Sequence, residues 1–206
     1  MMTLQQLLNF PAAPEVALLF MTCVVLLLEL FVKQKNSLLT YTASQLSLLI
    51  SLVLVSHLYR IPAQLLFHQH YIWDLVAYFI KLSILFFSIF AFVYARDALK
   101  HLGINSGEYY LLGLFSILGM LVLTSANSLL TLYLGLELLS FPLYALVALQ
   151  RKPSDAAEAA MKYFILGALA SGLFLYGLSL LYGATHSLII PTINQVLLQG
   201  GQSPIL

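Results

Sequence analysis

Thr131-Leu132-Tyr133-Leu134-Gly135-Leu136-Glu137-Leu138-Leu139-Ser140-Phe141-Pro142 is an apolar run with one carboxylate in its middle and a proline five residues later. A charge in such a run is expensive in lipid, so Glu137 is a functional-site candidate that needs a named partner. At helical spacing Tyr133, Glu137, Ser140 and Tyr144 are separated by steps of four, three and four, so they share one face while leucines cover the others. Pro142 has no N–H to offer the Leu138 carbonyl, so a bend is expected one turn past Glu137. The freed carbonyl and the Ser140 hydroxyl would then hold water or a proton beside the carboxylate.

Composition extends this reading to the whole chain. Of 206 residues, 61% are hydrophobic and only 8% charged, against about 25% charged in a soluble domain. The expected fold is therefore all-α: a polytopic membrane helix bundle of about six transmembrane helices in a single membrane domain. The net charge of +1 gives no footing for nucleic acid. The one cysteine, Cys23, excludes an internal disulfide and cannot by itself hold an iron–sulfur cluster. Nothing has zinc-ligand spacing, a phosphate-cradling glycine loop or a nucleophile elbow. No cofactor is expected on this chain, and any linked redox chemistry belongs to another.

Residues 1–13 carry no Lys or Arg, which argues against a cleaved signal peptide. Spans are expected at roughly 14–32, 37–59, 74–96, 108–126, 129–149 and 157–183, with 184–206 an outer loop. Pro14 sits in the first turn of helix one, and Glu29 near its end either pairs with Lys33 or belongs to a polar path. The Ser- and Thr-rich first half of helix two suits burial among helices. Residues 60–73, with His68, His70 and Trp73, read as an interfacial loop rather than a metal site. Asp74, Tyr78, Lys81, Leu85 and Ser88 share a face of helix three. Lys81, about 10 Å in at 1.5 Å per residue, either snorkels outward or faces a polar interior. Ser128 is placed to cap helix five. Glu158 and Lys162 have favourable i,i+4 ion-pair spacing. Gly167, Ala168, Ala170, Ser171 and Gly172 offer a small-residue surface, which argues for helix six as a central helix.

Lys33, Lys35, Arg96, Lys100, Arg151 and Lys152 fall in the loops after helices one, three and five, and only Arg60 falls on the other side. By the positive-inside rule those loops are cytoplasmic and both termini are periplasmic. Lys81 and Lys162 remain within spans. An unpaired carboxyl in low dielectric keeps its proton, and a nearby ammonium favours its release. A carboxyl beside a movable cation is thus a switchable proton site, and Glu137, Lys162 and Lys81 are the proton-pathway candidates. Tyr133, Ser140, Pro142, Tyr144, Glu158 and Asp74 form the supporting polar face.

The run Tyr133–Leu143 together with Asp155-Ala156-Ala157-Glu158-Ala159-Ala160-Met161-Lys162-Tyr163-Phe164-Ile165-Leu166-Gly167-Ala168 resembles the antiporter-like membrane subunits of respiratory complex I, and among them the bacterial subunit-N type. The stretch from Asp74 to Lys81 and the Ser125-Ala126-Asn127 turn fit the same pattern. The resemblance runs from about Asp74 to Gly183, while helices one and two agree mainly in hydropathy and topology. It implies a proton-translocating membrane-arm subunit of a multi-pass complex in the bacterial inner membrane, driven by electron transfer from NADH to quinone. NADH, FMN, iron–sulfur clusters and the quinone are then expected on other subunits. Glu137 matches the family's fifth-helix proton-pathway glutamate and Lys162 its sixth-helix lysine; Lys81 matches less closely.

Family members have further helices, including a broken seventh helix whose lysine partners the fifth-helix glutamate, and those lie beyond this sequence. Counted along the helices at 1.5 Å per residue, Glu137 lies about 20 Å and Lys162 about 8 Å from the cytoplasmic side, so Lys162 is no direct substitute. The sequence is therefore expected either to be completed by a second chain or to be a truncated, non-pumping scaffold. A subunit of a multi-subunit cation/proton antiporter or of a membrane hydrogenase shares the same motifs.

Overall fold

The computed structural model describes residues 10–31, 37–102, 106–149 and 154–199. Lys33, Lys35, Arg151 and Lys152, which carry much of the topology argument, lie outside the described residues. Among the described residues seven α-helices follow in order: α1 (Ala13–Phe31), α2 (Ser37–His57), α3 (Leu75–Leu102), α4 (Ser106–Thr124), α5 (Leu129–Val147), α6 (Ser154–Thr185) and α7 (Ile190–Leu198). The first six are long and apolar enough to cross a membrane. Between α2 and α3 lies a small antiparallel hairpin, β1 (Gln64–Leu66) and β2 (Tyr71–Trp73), in the register Gln64↔Trp73 and Leu66↔Tyr71.

Helices α1 to α4 pack on one another around a shared core of Leu18, Val25, Leu48, Val55, Leu85, Phe92, Tyr110, Leu114 and Leu121. The polar face of α2 is buried, as its composition suggested. Thr40, Ser44, Ser47 and Ser51 are all enclosed. Three of them donate one turn back along their own helix: Ser44 to Thr40 O (2.7 Å), Ser47 to Ala43 O (2.8 Å) and Ser51 to Ser47 O (2.9 Å). A hydroxyl satisfied within its own helix needs no water, so these residues let neighbouring backbones approach at little cost.

The α4–α5 contact is the most extensive between helices. A Cβ on Gly119 would come within 2.4 Å of the Leu139 backbone nitrogen, and one on Gly135 within 2.9 Å of the Leu123 nitrogen. These two glycines, facing each other's helix, set that approach. α5 then packs on α6, and α6 on α7.

Four features differ from the sequence reading. The stretch 60–73 holds the hairpin as well as a loop. α3 continues to Leu102, because Ala98, Leu99 and Lys100 favour helix and Leu99 is buried. Within 184–206, read as outer loop, Pro191 in the first turn opens α7. α6 lies at the edge of the described bundle, with no residue of its apolar window buried. Of its small residues, Gly167 and Ser171 face α5, whereas a Cβ at Gly172, Gly177 or Gly183 would meet nothing within 4 Å.

Candidate functional site

The end of the bundle that carries the hairpin is tied together by main-chain bonds. Ile72 N–H donates to Ser125 O (2.9 Å), and Asn127 N–H donates to His70 O (3.1 Å). The Asn127 amide also donates to Gln69 O (2.7 Å). These bonds hold a hairpin tip in which Phe67, His68 and Gln69 all have φ between 50° and 71°, a backbone region that non-glycine residues rarely adopt. On the far side of the turn, Leu129 N–H donates to Leu188 O and Ile190 N–H to Asn127 O. Ser128 is the N-cap of α5, accepting from Thr131 N–H at 3.2 Å, and its hydroxyl lies 2.7 Å from His70 Nδ1. So His70 contributes to the cap of the helix that carries Glu137.

The polar face of α5 meets α6 along its length, and the two helices run antiparallel. The Tyr133 ring stacks on Phe174, with centroids 6.3 Å apart. Ser171 donates to Glu137 Oε1, and Tyr133, one turn before Glu137, lines the same cleft. Tyr144 stands edge-on to Tyr163 at 4.7 Å, with its hydroxyl over Gly167, where a Cβ would collide with it. Glu137 is half-buried and lines an open cleft of about 320 Å³ with Tyr133, Tyr144, Ser171 and Gly172. The hydroxyl on the carboxylate thus comes from α6 rather than from Ser140. Pro142 lies buried inside an unbroken α5.

Lys162 is not in this cleft. It pairs with Glu158 at 2.5 Å, with side chains 70% and 65% exposed. The residue level with Glu137 on α6 is Ser171, so Lys162 lies nine positions away, about 13 Å along the helix.

Lys81 is at a different place again, and the structure chooses the interior for it. The side chain is wholly enclosed and forms an ion pair with Glu15 of α1. Its Nζ also donates to the Tyr71 hydroxyl (2.7 Å) and lies 4.8 Å and 5.0 Å from the ring centroids of Tyr71 and Trp73. The Tyr71 hydroxyl is 3.1 Å from both Pro11 O and Glu15 Oε1. Burial, and next the Glu15 carboxylate, push the Tyr71 pKa up, so it is a neutral donor at ordinary pH. Asp74 caps α3 by accepting from Ala77 N–H (2.7 Å). Sequence reasoning missed Glu15 and Tyr71. Glu15 looks like an ordinary first-turn acid, and its partner lies 66 residues away.

At the other end of the bundle, Thr40 donates to Glu29. The Glu29 carboxylate lies where a Cβ on Gly107, in the first turn of α4, would stand. An acid at a helix N-terminus is favourably placed. Its proposed partner Lys33 is outside the described residues.

Comparison with known proteins covers nearly the whole chain. Residues 126–205, which include both α5 and α6, match the family described as NADH:quinone oxidoreductase/Mrp antiporter, transmembrane. NADH-quinone oxidoreductase subunit N of Thioalkalivibrio sulfidiphilus is 44% identical over 191 residues, covering 93% of this chain and 40% of that protein. The subunit N of Halorhodospira halophila is 48% identical over 185 residues, covering 90% and 38%. A chain of respiratory complex I from Thermus thermophilus, solved with bound aureothin, superposes with a TM-score of 0.73 at 31% identity, covering 93% of this chain and 40% of its own length. A chain of an archaeal membrane-bound sulfane sulfur reductase shares the fold, with a TM-score of 0.73 at 23% identity. The chain spans about two-fifths of the length of the curated relatives it matches. What it resembles, in sequence and in fold, is the N-terminal part of subunit N of NADH-quinone oxidoreductase, the antiporter-like membrane subunit of respiratory complex I.

Proposed function

We propose that this chain forms part of a proton-translocating membrane-arm subunit of a bacterial NADH-quinone oxidoreductase, with Glu137 as its proton-holding group. The observation that carries the reading is the half-buried Glu137 carboxylate in the α5–α6 cleft, held by a single hydroxyl from Ser171 and flanked by Tyr133. A carboxylate with few fixed partners responds strongly to a nearby charge. The cleft, at about 320 Å³, has room for several waters of about 30 Å³ each. Ser171 can rotate to donate to the ionised carboxylate or to accept from the protonated one. Glu137 loses its proton as a cation approaches and regains it as the cation withdraws. Lys162 is too far along α6 to be that cation without water between, so it serves as a second station, and the direct partner comes from beyond the described residues.

In this reading both termini face the periplasm and the complex sits in the bacterial inner membrane. Other membrane-arm subunits pack on the chain. NADH, FMN, iron–sulfur clusters and quinone belong to other subunits. The matched family also includes Mrp antiporters by its description, which favours sodium/proton exchange as the second reading. NADH-driven proton uptake by inverted membrane vesicles tests the first. Glu137→Gln keeps the shape and removes the titration, and it should abolish uptake while the complex stays assembled. Undiminished uptake by an assembled variant contradicts the proposal. Uptake that depends on a sodium gradient rather than on NADH favours the second reading.

A further inference from the structure

We propose that Glu15, Lys81 and Tyr71 form a closed clamp that sets the hairpin end of α5 and so the placement of Glu137, with Lys81 a positioning residue and not a proton carrier. The link to Glu137 rests on the function proposed above; the clamp itself does not. Three separate segments meet at Lys81: α1 through Glu15, β2 through Tyr71 and Trp73, and α3 through Lys81 itself. The ammonium is fully enclosed, and its polar contacts and ring faces are already taken. Glu15 is 6% exposed, and its Oε2 is buried with no hydrogen bond. The carboxylate therefore depends on Lys81, and each charge is left unsupported if the other goes. A proton carrier needs a donor, an acceptor and room to exchange between them, and this pair has no room.

From the clamp a continuous set of bonds leads to α5. Tyr71 forms a bridge with Ala126. Its neighbours bond Ser125 and Asn127 through Ile72 N–H and His70 O. The His70 ring meets Ser128, the cap of α5. Glu137 follows nine residues later, about 13 Å along the helix. Releasing Tyr71 frees the hairpin, and the start of α5 loses the frame that orients it.

Hydrogen–deuterium exchange of the chain in its native membrane complex, read by mass spectrometry, tests this. Lys81→Met should speed exchange of residues 64–73 and 125–131 by at least about tenfold, with residues 44–51 unchanged. Glu15→Leu combined with Lys81→Met replaces the pair by apolar side chains and should return exchange to within about twofold of native, with proton uptake returning alongside it. Tyr71→Phe is the milder variant and decides the matter if the double variant does not insert. It should speed exchange at 125–131 by about threefold. Native exchange in Lys81→Met or in Tyr71→Phe overturns the clamp. A protected, assembled double variant that cannot take up protons, where native chain does and Glu137→Gln does not, makes Lys81 a carrier and overturns the positioning role. If Glu137→Gln pumps normally, the functional reading fails, and the exchange data still decide the clamp.

Discussion

Glu15 on α1 and Glu137 on α5 are each an acid set among apolar helix residues. Glu15 is buried, paired with Lys81 and hydrogen-bonded to Tyr71. Glu137 lies half-buried on an open cleft with a serine hydroxyl and a tyrosine one turn away. The bundle around them differs in the same sense. α1 to α4 enclose a common core, whereas α6 touches α5 and α7 and buries none of its apolar window. A charge with its counter-ion locked in place contributes to architecture but cannot change partners. A carboxylate with one adjustable hydroxyl contributes little to architecture and stays free to respond. One chain thus holds a finished ion pair and, two helices later, a site still open to a partner.

That contrast can be broken in several places. Lys81→Met leaves Glu15 buried without its cation and should cost about 3–5 kcal/mol in denaturant unfolding of the purified chain in detergent; a negligible cost would mean that the pair is not closed. Gly119→Leu forces a side chain into the backbone of Leu139 and should cost about 1–3 kcal/mol in the same assay. Gly177→Ala, where a Cβ meets nothing within 4 Å, should be neutral or gain up to about 1 kcal/mol from helix propensity. A large loss at Gly177 would show that this face of α6 is covered in the detergent-purified chain. Ser128→Ala removes the cap of α5 together with its contact to His70 and should cost about 1 kcal/mol. Lys162→Ala breaks an exposed i,i+4 pair and should change stability by only about 0.3–0.5 kcal/mol, so a larger effect would place Lys162 in a packed environment.

Six spans, the polar face of α5 and the cap at Ser128 were legible because each rests on local pattern: hydropathy over a span, steps of three and four, one serine before an apolar run. Glu15 was not legible, because an acid in a first helical turn looks complete by itself and its partner is brought in by tertiary packing. The hairpin escaped because strands of three residues carry too little alternation to read. α7 escaped because its nine residues are too short for a span and carry Pro191 in the first turn. The small residues of α6 show that a helix can be approached closely but not which helix approaches, and that is why its central placement did not follow. The distance between Glu137 and Lys162 was readable from residue counts; the Ser171 hydroxyl on Glu137 needed the antiparallel register of two helices.

The most direct test of the difference between the two acids is chemical. An apolar carbodiimide reacts with protonated carboxyls that it can reach from the membrane and leaves a stable adduct that peptide mass spectrometry can place. In native membranes at neutral pH, labelling should accumulate on Glu137 and spare Glu15, and Lys81→Met should expose Glu15 to the reagent. Labelling of Glu15 in the native chain as fast as Glu137, or of Glu15 alone, would contradict the division into a closed pair and an open site.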